Sequence, residues 1–151
     1  VSSSIDLVLP RLKAEEGFRL HPYNDRTGQR VTCITGDPAT SGNLTWLYGL
    51  NLETAGSEEL GELVARWVLG GIEKFLFAYP WYINCDAVRQ SVLLDIAFNT
   101  GVSGLLKFKR MIAAILRYDW PSAATECHVQ DAKLTKRYEK LAQLLLTGLN
   151  T

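Results

Sequence analysis

From Ser57 to Gly148 the apolar residues recur at helical spacing, broken only by capping residues, prolines and glycines. A helical period held over that length commits most of the chain to amphipathic helices packed on one another. Ser57 followed by Glu58 and Glu59 opens one helix, with Leu60, Val64, Trp67, Gly71, Ile72 and Phe75 on one face and Pro80 beyond its end. Asp86 caps a second, with Val88, Val92, Leu93 and Ile96 inward and Asn99-Thr100-Gly101 at its close. A third runs from about Gly104 with Leu105, Phe108, Met111, Ile112 and Ile115. Asp119 and Pro121 start a short fourth, and Asp131 leads into a fifth with Leu134, Tyr138, Leu141 and Leu145, stopped by Gly148.

The first fifty residues read differently. Ile5, Val8, Leu9 and Leu12 form a helical stripe that ends at Glu16 before Gly17, with Ser3, Ser4 or Asp6 as the cap. Pro10 fits if the helix begins near Asp6 or Leu7, so that the ring falls in its first turn. Residues 19–23, 29–34 and 44–50 are short β-branched or aromatic runs separated by Asn24-Asp25, Thr27-Gly28 and the turn-forming stretch 36–43. The expected class is therefore α+β, in one domain over 1–151: a helix at about 5–16, a small antiparallel sheet with a long hairpin at about 17–52, and a helical lobe at about 57–148.

Composition narrows the function. A chain of 151 residues with 47% hydrophobic side chains can build its core without disulfides or a metal. Sixteen Lys and Arg against sixteen Asp and Glu give zero net charge, which argues against a nucleic-acid partner. Cys33, Cys85 and Cys127 lack the paired spacing of a zinc site and read as free thiols of a reducing compartment. The most apolar stretch, 63–77, is interrupted by Arg66, Glu73 and Lys74, so no stable membrane insertion is expected. Nothing near Val1 resembles a basic stretch followed by an apolar signal core, and an export signal is expected to be absent or removed.

Two carboxyl groups are placed so as to differ. Glu16 stands at the negative end of a helix beside Glu15, which favours retention of its proton, whereas Asp25 in a wet turn stays ionised. Such a pair suits hydrolysis of a glycosidic bond, one group protonating the leaving oxygen and the other supporting the opposite side.

The surrounding residues sharpen this. Glu16-Gly17-Phe18-Arg19-Leu20-His21-Pro22-Tyr23-Asn24-Asp25, then Thr45-Trp46-Leu47-Tyr48-Gly49-Leu50-Asn51, resembles the signature of the phage-type lysozymes, the endolysin muramidases. Phe98-Asn99-Thr100-Gly101 is similar to that family's helix end, and Arg137 stands before Thr147-Gly148 as an arginine does in its last helix. The resemblance implies Glu16 as general acid, Asp25 as the supporting carboxylate and Thr45 as the hydroxyl that positions water. Arg137 would orient Glu16, while Asn51, Asn99 and Tyr48 would bind sugar. It also implies a monomer without cofactor or metal that inverts at the anomeric carbon. The substrate would be bacterial peptidoglycan strands, cut between N-acetylmuramic acid and N-acetylglucosamine, by a protein made in a host cytoplasm and acting on the wall outside it.

Departures from the family pattern are local. Nineteen residues lie between Asp25 and Thr45, where relatives have about five, and a longer hairpin with residues 35–44 at its tip would absorb the excess. Leu47 replaces a glycine and Asn51 a frequent histidine. A catalytically silent lysozyme-like domain that binds glycan or a partner protein is the competing expectation, and a chitinase or transglycosylase would share the cleft chemistry. Arg137 could instead pair with Glu139 or Asp131, and Asn99 could be a plain helix end. His21 and His128 are expected at the surface or as caps, and Trp67, Phe75, Phe77, Trp81 and Phe108 in the core.

Overall fold

The computed structural model describes residues 3–16, 45–46, 50–51, 58–129 and 134–148, with backbone alone for Glu16, Thr45, Trp46, Leu50 and Asn51. In chain order the elements are α1 (Ser4–Glu16), β1 (Thr45–Trp46), β2 (Leu50–Asn51), α2 (Glu58–Leu76), α3 (Pro80–Ile83), α4 (Ala87–Thr100), α5 (Val102–Leu105), α6 (Lys109–Leu116), α7 (Trp120–Thr125) and α8 (Thr135–Thr147).

The α+β class expected from the sequence is corrected. The described residues form a helical protein, and a small antiparallel sheet over 17–52 is not supported. Strand pairing among them is limited to one antiparallel ladder of two residues a side, Thr45 opposite Asn51 and Trp46 opposite Leu50. The two ends of the 44–50 run thus pair with each other instead of continuing as one strand. The expected strands at 19–23 and 29–34 lie outside the described residues. The physical reason for the helical class is where burial falls: the buried apolar side chains described all come from helices or the residues that flank them.

α4 is the centre of this core. α1, α2, α3, α5 and α8 all pack against it, and every residue from Ser91 to Ala97 is buried. A helix stretch covered on all sides needs no polar stripe, which explains the apolar run from Val92 to Phe98, interrupted by Asp95 alone. Asp86 caps it as expected, its carboxylate accepting from the Arg89 backbone N–H at 3.0 Å. Gly101 ends it at φ +74°, a conformation open to glycine.

Other boundaries differ from the sequence expectation. α1 begins at Ser4, so Pro10 sits inside the helix; its exposed position lets water reach the Asp6 carbonyl that has lost its N–H partner. The expected third helix is two, α5 and α6, because Phe108 at ψ +54° leaves helical geometry between them. On α2 the inward stripe is Leu69 and Leu76 with Ala65 and Ile72 beside them, while Trp67, Phe75 and Phe77 are 77%, 60% and 50% exposed. Trp81 is buried and Phe108 packs on the core, stacked against Tyr138 at 6.1 Å, so only these two of the five aromatics behave as expected.

Long-range polar contacts close the helical assembly. Glu73 of α2 accepts from the Ser4 hydroxyl of α1 and, at 2.9 Å, from the Tyr82 hydroxyl of α3. At the end of α8, Gly148 adopts φ +64° and donates to Leu144 O at 2.9 Å. The carbonyls of Leu145 and Leu146 are taken instead by Arg89, through Nε at 2.8 Å and Nη2 at 3.1 Å. Among the described residues no helix is long and apolar enough to cross a membrane.

Candidate active site

Backbone alone places three of the expected site residues. Glu16 is the last residue of α1, and Thr45 and Asn51 face each other across the β1–β2 ladder. The two residues thus share one rung of the ladder. Asp25, Tyr48 and the 35–44 hairpin tip lie outside the described residues. Asn99 is exposed in the last turn of α4.

Arg137 is only 8% exposed, and neither a solvated helix face nor Glu139 accounts for it. Its Nε and Nη2 donate to Asp95 Oδ1 at 3.1 and 2.7 Å. The second oxygen, Oδ2, accepts from Nε of Arg11 at 3.3 Å. Arg11 reaches further, with Nη2 donating to the Ser91 carbonyl and hydroxyl, both at 3.0 Å, and Nη1 to its own Leu7 carbonyl at 3.2 Å. One carboxylate on α4, itself 1% exposed, therefore joins α1 to α8.

Two guanidinium groups converge on one carboxylate where α1, α4 and α8 meet. Burial pulls the Arg11 pKa below its ordinary value, Asp95 opposes that pull, and Arg137 adds to it as a like charge. Asp95 and Arg11 escaped the sequence reading. The available signal was an acid set alone among Val92, Leu93, Leu94, Ile96 and Ala97, since such a residue on a buried helix requires a partner.

An open cleft of about 850 Å³ lies beyond this cluster, lined by Lys107, Lys109, Arg110 and His128 around Phe108, Met111 and Glu126. Phe108 links it to the cluster by stacking on Tyr138, the neighbour of Arg137. His128 is exposed, its Nδ1 donating to the Thr125 carbonyl at the end of α7 at 3.0 Å, a capping role as expected; His21 lies outside the described residues. Cys85 and Cys127 are free and buried, with burial pushing each thiol up to about 12; Cys33 lies outside the described residues. Among the described residues no group of three or more His, Cys, Asp or Glu side chains could hold a metal ion.

The helical arrangement fits a lysozyme-like lobe, and a weak sequence likeness supports a lysozyme-like family. The chain is similar to a protein of Dictyostelium discoideum named probable T4-type lysozyme 2, with 23% identity over 156 residues that cover 91% of this chain and 92% of that one. No family model matches.

Proposed function

We infer that this protein is a glycoside hydrolase, a muramidase that cleaves the β-1,4 bond between N-acetylmuramic acid and N-acetylglucosamine in bacterial peptidoglycan. The observation that carries the inference is the likeness to a T4-type lysozyme along nine-tenths of both chains, at 91% and 92%. The Glu16-to-Asp25 segment and the Thr45-to-Asn51 segment supply the chemistry.

In this reading Glu16 protonates the oxygen of the departing sugar. Asp25 supports the positive charge that grows on the reacting ring, and the Thr45 hydroxyl orients the water that attacks from the opposite face. Inversion by that route requires the two carboxyl groups to stand about 6.5–9.5 Å apart, with room for the water. Arg137 orients Glu16, and the proton affinity of Glu16 is set by opposed influences: Glu15 and the helix end raise it, the arginine lowers it. Asn51, Asn99 and Tyr48 hold the sugar chain. The basic cleft at Lys107, Lys109 and Arg110 suits a wall polymer whose peptide stems carry carboxylates. The enzyme acts on the cell wall as a monomer.

Mass analysis of products from purified peptidoglycan tests the whole reading at once. Muropeptides ending in reducing N-acetylmuramic acid are the expected result. Anhydro-sugar ends would make the protein a transglycosylase, and undigested but bound wall would make it a silent glycan-binding domain.

A further inference from the structure

The Asp95 cluster does more than fill the core. Buried ionic triads can be replaced by apolar residues of similar size with little or no loss of stability, so cohesion alone does not call for an acid among the apolar residues of α4. What the acid supplies is direction. Asp95 engages Arg137 through Nε and Nη2, on one edge of the guanidinium, and not through Nη1. Gripping one edge of a planar group fixes its plane and the line along which the remaining N–H bonds point. The same carboxylate holds Arg11, five residues before Glu16 on α1, and lies four residues before Asn99 on α4. Arg11 and Arg137 thus take their bearings from one anchor, and α1, which ends in Glu16, is fixed against α8. Tyr138 and Cys127 also face Asp95, both protonated at neutral pH, with Ser91 on its own helix; among the described residues the charges set against it are the two arginines.

We propose that Asp95 is a positioning residue for the muramidase reaction, acting through Arg137, whose guanidinium it aims and immobilises, and through Arg11, which fixes the end of α1. This rests on the muramidase reading above, and the experiment separates the two.

Turnover of soluble, uncross-linked peptidoglycan strands is measured for the wild type, Asp95→Asn, Arg137→Gln and their double variant. The compensated pair Asp95→Asn with Arg11→Met is measured beside them; it removes one anion and one cation together and so keeps the cluster's net charge. Circular dichroism and a urea transition establish that the compensated protein is folded. The expected result is a fall in kcat of about 20-fold or more for Asp95→Asn and for the compensated pair, with KM within about twofold of wild type. Adding Asp95→Asn to Arg137→Gln should cost much less than Asp95→Asn costs in the wild type, because only the part of its effect that runs through Arg11 remains to be lost. A folded compensated variant at wild-type kcat would overturn the proposal, as would losses that multiply in the double variant or a change confined to KM. A wild-type chain without turnover would overturn the muramidase reading and this proposal together, whereas an active wild type with indifferent Asp95 variants would remove the proposal alone.

Discussion

Arg89 and Gly148 stand in van der Waals conflict with any side chain but hydrogen: a Cβ on Gly148 would lie 2.5 Å from Nη1 of Arg89. The guanidinium cannot easily retreat. It donates to the Leu145 and Leu146 carbonyls, pairs with Asp86 and lies 3.9 Å from the centre of the Trp120 ring. Gly148→Ala must therefore strain a φ of +64° and displace this arginine as well. The expected loss is about 1–2 kcal/mol, read as a lower midpoint in urea unfolding. A Gly148→Ala protein as stable as wild type would show that the C-terminal turn of α8 is not held in this form.

Thiol burial gives a pH-dependent signature. Cys85 and Cys127 ionise near the ordinary 9.0 when exposed but only at about 12 when folded. Between those values the unfolded chain has released protons that the folded chain keeps, so stability falls as pH rises above about 9 and is unaffected by these groups below it. Substituting both cysteines by alanine should flatten the decline in urea midpoint between about pH 8 and pH 10 relative to wild type. At neutral pH, native Cys85 and Cys127 should react with a thiol reagent only as fast as the protein opens.

How much of this was legible in the sequence depended on range. Asp86 and Gly148 could be read as helix ends because a cap is a local event, decided by a residue and the turn beside it. Arg137 could be singled out, but its partner could not: Asp95 lies 42 residues away, and the pair exists only because three helices converge. Trp67 and Phe75 were misplaced because the nineteen-residue α2 carries two apolar stripes, and its neighbours, not its own period, decide which one is covered. Short β-branched runs suggest a sheet, but that pattern carries little weight beside the long helical period that follows. Of the candidate site, the sequence offers residue types and order, and the structure adds the partners of Arg137, namely Asp95 and through it Arg11.

Glu16→Gln is the direct test of the acid. An amide of the same shape cannot supply the proton, so turnover should fall by at least about 100-fold while wall binding, measured by co-sedimentation with peptidoglycan, is retained. Lysis above about a tenth of the wild-type rate would remove Glu16 from the role of general acid.

Two threonines compete for the water. Thr32 has the shorter spacing from Asp25, with six residues between them, whereas Thr45 has Tyr48, Gly49 and Asn51 in the expected order after it. Thr45 also stands directly across from Asn51 in the ladder. Thr45→Val should lower kcat by about 100-fold and Thr32→Val by less than about threefold on the same substrate. The opposite ranking would place the insertion after the functional threonine.

The tie between Arg11 and Asp95 spans 84 residues of sequence. A chain made from its N-terminus at 5–20 residues per second completes α1 roughly 4–16 s before the acid that will hold it has been synthesised. Through that interval the Val8, Leu9 and Leu12 stripe has no α4 to bury against. Deep in the folded core, α1 is thus a late arrival in assembly, and the end of the helix that carries Glu16 takes its final place only after the central helix has left the ribosome.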